Sequence, residues 1–233
     1  PGIVNDFDRT TLVTREDIAA MQRQNAYADY RLLTNGVNLS EFPANLSHEG
    51  RHTVLFAGKL NVWANEMMVK SIIKDIAPKV HESMPDTIFQ IVGANPTKTI
   101  TQLAESYPIA GRIQIVGTVP RLQEYYQKAA VFIHPHSGAS GIQNKLLEAM
   151  ASGCPVVTSP TGAQGIPVVA GRDYLMGKNA TELAENVISL LKNQGLRETI
   201  AKNARLQIEK HHSWEAIYEA FDVIIDEIVP RQV

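Results

Sequence analysis

The stretch VFIHPHSGASGIQNKLLEAMASGCPVVTSP, residues 131–160, decides the fold, because it reads as strand, glycine-rich turn, helix and strand. Val131 to His134 is a short β-branched and aromatic run, and Pro135 stops it, since a proline ring cannot continue a central strand. Gly138 and Gly141 bracket a tight turn, where small residues let backbone amides approach a ligand. From Ile142 to Ser152 the apolar residues Ile142, Leu146, Leu147, Ala149, Met150 and Ala151 recur at helical spacing. Gly153 ends the predicted helix as a left-handed cap, Pro155 follows, and Val156 and Val157 begin the next strand.

That helix carries one polar stripe, formed by Asn144, Lys145, Glu148 and Ser152 at offsets of three and four. Its amino terminus opens just after the flexible turn. Backbone amides, the positive end of the dipole and Lys145 together suit a phosphate or diphosphate. Glu148, one turn deeper, suits paired hydroxyls such as those of a ribose. The same stripe also describes a solvated helix face with a weak Lys145–Glu148 pair. Spacing alone leaves both readings open and leans to the plainer one.

Outward from this stretch the chain alternates. Strands are predicted at 53–58 (TVLFAG), 87–93 (TIFQIVG) and 112–117 (RIQIVG), with a last short one at 173–176. Helices are predicted at about 65–84, 97–107 and 120–129, the first disturbed near Ala77 by Pro78. The tail reads as three helices, 180–192, 196–211 and 214–229, with Ser213 capping the last. Near-continuous apolar strands separated by helices imply parallel βαβ units covered on both faces. The expected fold class is therefore α/β, a doubly wound, mainly parallel Rossmann-like sheet with a helical carboxy-terminal tail. Ligands of such sheets bind beyond the carboxyl ends of the strands, where Lys59, Gly93, Thr118 and the 135–141 turn fall.

Before this domain, residues 1–38 read as a separate β-α-β unit, with strands at 10–14 and 31–34, a helix at 15–25 and an Asn35-Gly36 turn. Residues 39–52 are polar and aperiodic, which suggests a linker between two lobes. The chain has 233 residues and a formal net charge of −2, so there is no electrostatic case for nucleic acid or an anionic membrane. A single cysteine, Cys154, excludes an internal disulfide and sits where core packing is expected. No apolar run is long enough to span a membrane and no signal peptide is visible. Because the chain opens on Pro1 in mid-pattern, a fragment or processed chain is expected. His134 and His136 straddle Pro135, yet no carboxylate follows at ligand spacing, so no metal is expected there.

The run GIQNKLLEAMASGCPVV, together with NGVNLSEF, VLFAGKL, FQIVG and IQIVGTV in order, resembles the donor-binding half of family-4 retaining glycosyltransferases with the GT-B fold. The resemblance runs from about Phe7 to the terminal helix. It implies two facing Rossmann-like domains, the second binding a nucleotide-sugar and the first holding a glycan or lipid-linked acceptor. Residues 1–38 would be the end of the acceptor domain, 53–212 the donor domain, and 213–233 a helix crossing back to the first domain. Its apolar stripe (Ile217, Phe221, Ile224, Ile225 and Ile228) would then be partly exposed.

On the same resemblance, Glu148 matches the carboxylate that binds the nucleotide ribose. A second glutamate is usual where this chain has Ser140, which leaves the donor sugar open. Lys59 matches the first of a basic pair that holds the diphosphate, but Asn65-Glu66 stands where the second is usual. Lys145 is a candidate replacement, with a solvent-facing side chain as the alternative. Gly141, Ile142 and Asn144 complete the diphosphate end, and Gly93 and Thr118 lie near the base. No cofactor or metal is implied beyond the nucleotide-sugar itself. No catalytic acid or base is identified in the chain, so it is expected to be inactive alone. The implied location is cytoplasmic, with peripheral membrane contact an option for the full-length protein. A non-catalytic nucleotide-sugar-binding module and, less favoured, a nucleotide-sugar epimerase are the alternatives.

Overall fold

The computed structural model describes residues 3–138 and 141–229. The first unit holds β1 (Thr10–Leu12), α1 (Arg15–Gln24) and β2 (Tyr30–Leu32), whose strands pair parallel in a two-stranded sheet of their own. Thr14 caps α1 by accepting a hydrogen bond from the Asp17 amide at 3.0 Å, and therefore ends the predicted 10–14 strand early.

The second unit is a six-stranded parallel sheet. In chain order its elements begin with β3 (Thr53–Ala57), α2 (Trp63–Ser71) and α3 (Ala77–Ser83). Then come β4 (Ile88–Val92), α4 (Lys98–Glu105), β5 (Ile113–Gly117) and α5 (Leu122–Lys128). They continue with β6 (Val131–His134), α6 (Asn144–Ala151), β7 (Val156–Thr158) and β8 (Leu175–Met176). Three helices follow: α7 (Ala180–Lys192), α8 (Gln194–His212) and α9 (Trp214–Asp226). Among these, no helix is long and apolar enough to cross a membrane.

The strand order is β5-β4-β3-β6-β7-β8, so the chain reverses its direction of travel across the sheet between β3 and β6. Alternate residues of β3 explain the layers. Val54 and Phe56 pack with α2, α3, α4 and α7, while Leu55 and Ala57 pack with α5, α6 and α8. A crevice at the carboxyl ends of β3 and β6 follows from that topology.

Pro78 does not break its helix. A π-helical turn at Ile72–Ile76 joins α2 to α3, and the Ala77 amide reaches back five residues to the Ile72 carbonyl. The wider turn accommodates the missing Pro78 donor and its ring without interrupting the run. Residues 39–52, expected as a linker, are bound down onto the second unit. Arg51 donates to the carbonyls of Ala129 and Asn45, both at 3.1 Å, and Phe42 meets Tyr126 edge to face. Cys154 is fully buried, and burial pushes its thiol up to about 12, as core packing requires.

The carboxy-terminal helix returns to the first unit. Ser213 caps it as expected, accepting from the Ala216 amide at 3.1 Å. Trp214 lies on Gly36, where any Cβ would come within 2.7 Å of the indole. Glu227 pairs with Arg31 at 3.0 Å and Arg9 at 3.6 Å. Ile217 and Ile224 are buried, whereas Phe221 and Ile225 are exposed.

One close approach fixes the crevice floor. A Cβ on Gly93 would lie 1.7 Å from the Gly58 carbonyl oxygen, because the Gly58 amide bonds the Val92 carbonyl between the ends of β3 and β4 while the Gly93 amide is held by the Gly117 carbonyl of β5 on the other side. Gly93→Ala is therefore expected to cost about 2 kcal/mol or more of stability, because backbone must move, in urea unfolding against the wild type.

Candidate functional site

The crevice is lined by the turns after β3 and β6 and by α6, which begins at Asn144, two residues later than the apolar spacing predicts. The 142–143 segment stays extended up to Gln143, and Ile142 is buried in the core beneath. Gly141 takes φ +93, a left-handed value that suits glycine. Ser140 lies outside the described residues.

Lys145 and Glu148 do not pair with each other. Lys145 reaches across the crevice, its Nζ donating to Asn65 Oδ1 at 2.7 Å and standing 5.6 Å from the Phe56 ring centroid. Asn65 is itself fixed, since its Nδ2 donates to the Lys59 carbonyl at 2.9 Å. Glu148 turns the other way and accepts from the Tyr126 hydroxyl at 3.1 Å. The plainer reading, a solvated stripe with a weak ion pair, is therefore corrected: Ser152 is fully buried, and the two charged groups serve different neighbours. Asn144 donates nothing to a neighbour on its own helix. Its Oδ1 accepts from Asn35 Nδ2 at 2.7 Å, which ties α6 to the first unit.

Burial dominates the electrostatics. It lowers the Lys145 ammonium to about 8, with Glu148 pulling the other way. It raises the Glu148 carboxyl above its usual range; Glu41 adds to this, while Tyr126 and Lys145 oppose it. His134 is fully buried, and burial, Lys145 and His136 hold it well below the ordinary histidine value. Its ring stacks on His136 at 5.2 Å between centroids. Among the described residues no three histidine, cysteine or acidic side chains gather at metal-binding spacing.

The remaining expected residues spread along the sheet edge. Lys59 is exposed directly after β3, and Gly93 lies against Gly58 beside it. Thr118 is exposed at the end of β5, two strands out from β3, a distance on the order of 10 Å. Asn65 and Tyr126 were not expected as site residues. The amide six residues after Lys59 was the only local signal for the first, and nothing local marks the second. A cavity of about 520 Å³ opens elsewhere, between Arg15, Thr34, Gly165, Lys210 and Ile217.

These features meet in a family. The family model described as glycosyl transferases group 1 matches residues 51–193. The chain belongs to that family. It is 24% identical over 239 residues to spore coat protein SA of Bacillus subtilis, covering 93% of this chain and 62% of the relative. Its fold matches sucrose-phosphate synthase of Thermosynechococcus elongatus with TM-score 0.82 and 21% identity, over 99% of this chain and 60% of that one. It also matches HepE of Anabaena, solved with UDP and glucose, with TM-score 0.78 and 16% identity, over 97% and 65%. The six-stranded parallel unit is thus one Rossmann-like half of a GT-B glycosyltransferase. The chain spans about half the length of the curated relatives it matches, from 45% to 62% of the first three.

Because the folded protein holds Lys145 at about 8 and the unfolded chain near 10.5, the unfolded state binds more protons between those values. Stability is expected to rise with pH across that window. In reductively ¹³C-methylated protein one dimethyl-lysine resonance should titrate near pH 8 and vanish in Lys145→Met.

Proposed function

We propose that this group 1 chain is the donor-binding part of a retaining glycosyltransferase. In this reading it presents a nucleoside-diphosphate sugar for transfer to an acceptor hydroxyl on a glycan or lipid-linked acceptor. The observation that carries the reading is the pair Lys145 and Glu148, one turn apart on α6 and separately held at the β3–β6 crevice. A cation for the diphosphate and a carboxylate for the ribose then stand one turn apart on one helix. The family membership and the UDP-bound structure of HepE support the same class of ligand.

In the proposed reaction the anomeric C–O bond to the diphosphate breaks and a new C–O bond to the acceptor forms on the same face. Negative charge grows on the departing diphosphate. Lys59, Lys145 and the amides of Gly141, Ile142 and Asn144 at the start of α6 stabilise it electrostatically. Glu148 accepts ribose hydroxyls, and the turns at Gly93 and Thr118 flank the base. Ser140 stands in the sequence where the resemblance puts a donor-sugar contact. Positive charge comes from side chains and the helix terminus, so no resident metal is invoked.

The domain organisation is proposed with it. Residues 1–38 close an acceptor domain, 39–52 connect, 53–212 bind the donor, and 213–233 lead back to the acceptor domain. The exposed Phe221 and Ile225 on α9 would pack there. Acid–base groups for transfer belong to that domain, in the cytoplasm or at the inner membrane face.

Thermal unfolding with UDP, GDP and ADP tests the reading. At a Kd of about 100 μM, 1 mM nucleotide stabilises by ~1.4 kcal/mol, a shift of roughly 3–5 °C. Glu148→Gln still accepts from Tyr126 but loses the charged bond to ribose, which is worth ~1.5–3 kcal/mol of binding. One nucleotide is expected to shift the wild type and leave the variant within about 1 °C. No shift with any of the three would refute the donor assignment.

A further inference from the structure

The held ammonium of Lys145 has a consequence that rests on the donor reading and sharpens it. Lys145 starts in the α6 layer and ends against Phe56 and Asn65, which belong to the α2 layer on the other face of the sheet. It therefore passes through the crevice where the topology leaves the sheet edge uncovered. Its partners there are neutral: an amide oxygen and an aromatic ring. Among the described residues it makes no ion pair. A half-buried cation whose direct contacts are neutral, with only the longer-range pull of Glu148, is left to attract an incoming anion.

Asn65 is suited to that task by having two unlike ends. Its Nδ2 is used on the Lys59 carbonyl, so the amide cannot rotate, and Oδ1 must face Lys145. Only 8% of Asn65 is exposed, and a Cβ on Gly58 would come to 3.0 Å from its Nδ2, so the amide is packed on that side as well. An aspartate here would lose the bond to the Lys59 carbonyl and neutralise the ammonium. An alanine would let the lysine swing free.

We propose that Asn65 is a positioning residue that holds the Lys145 ammonium, uncompensated, where the diphosphate of the donor binds, so that α6 supplies a cation to the β3 turn. The assignment concerns the β-phosphate end of the ligand and not the nucleoside. It also implies that the cation can be moved: a lysine at position 65 would carry its ammonium to the same crevice from the opposite side.

The test is calorimetric titration of the protein with whichever of UDP, GDP and ADP binds, and with its monophosphate. Lys145→Met and Asn65→Asp are each expected to weaken the diphosphate at least ten-fold and the monophosphate less than three-fold. Asn65→Lys combined with Lys145→Met is expected to return diphosphate binding to within about three-fold of wild type. A merely structural role would weaken both nucleotides alike and would not be rescued by relocating the charge; that result overturns the proposal. So does diphosphate binding by folded Lys145→Met equal to wild type. Should Asn65→Asp not fold by circular dichroism, Lys145→Met and the double variant decide the matter alone. Absence of binding by the wild type to all three diphosphates refutes the donor reading itself, whereas wild-type binding with unaffected variants refutes only this inference.

Discussion

Two adjacent parallel strands, β3 and β6, hand their chains to opposite faces of one sheet, and the rest of the molecule follows from that divergence. Parallel strands need long crossovers, and right-handed crossovers place each helix on the side set by the direction of travel. Where the direction reverses, no helix can cover the strand ends. The opening left there lets a side chain from one layer meet the other without passing through the sheet. Lys145 and Asn65 meet there.

Charge in such an opening behaves differently from charge on a surface. Burial displaces both Lys145 and Glu148 towards their neutral forms, the lysine downward and the carboxylate upward. Their mutual attraction is too weak to cancel this, because each has turned to another partner. A group pushed towards neutrality gains most from an opposite charge or a hydrogen-bond donor that arrives from outside. On the proposed reading the two shifts are the electrostatic counterpart of the geometry, with an anion at one end of α6 and hydroxyl donors at the next turn.

Much of this was legible in the sequence, and the reasons are local. Apolar runs of five or so residues ending in glycine set out the strands 53–57, 88–92 and 113–117. Ser213 announced α9 by its cap. Glu148 and Lys145 could be placed on α6 by spacing and by resemblance. What they touch was not legible, since Tyr126 and Asn65 reach them from α5 and α2 through tertiary packing that no local pattern encodes. The solvated stripe failed for that reason: Ser152 belongs to it by periodicity but is buried. Pro78 shows the converse, a strong local signal absorbed by a π-helical turn.

The 35–37 segment follows the same logic of paired polar ends. Asn35 donates through Nδ2 to Asn144, the first residue of α6, while its carbonyl faces His212 Nδ1 at 2.8 Å. The Val37 amide bonds the His212 carbonyl at 2.7 Å, next to the cap of α9. One short segment, 35–37, thus touches both the start of α6 and the junction of α8 and α9. The bonds Asn35 to Asn144, Lys145 to Asn65 and Asn65 to Lys59 thus run in one series from the first unit through α6 to the turn after β3, the Lys145 ammonium taking the Oδ1 end of the Asn65 amide and the Lys59 carbonyl its Nδ2 end.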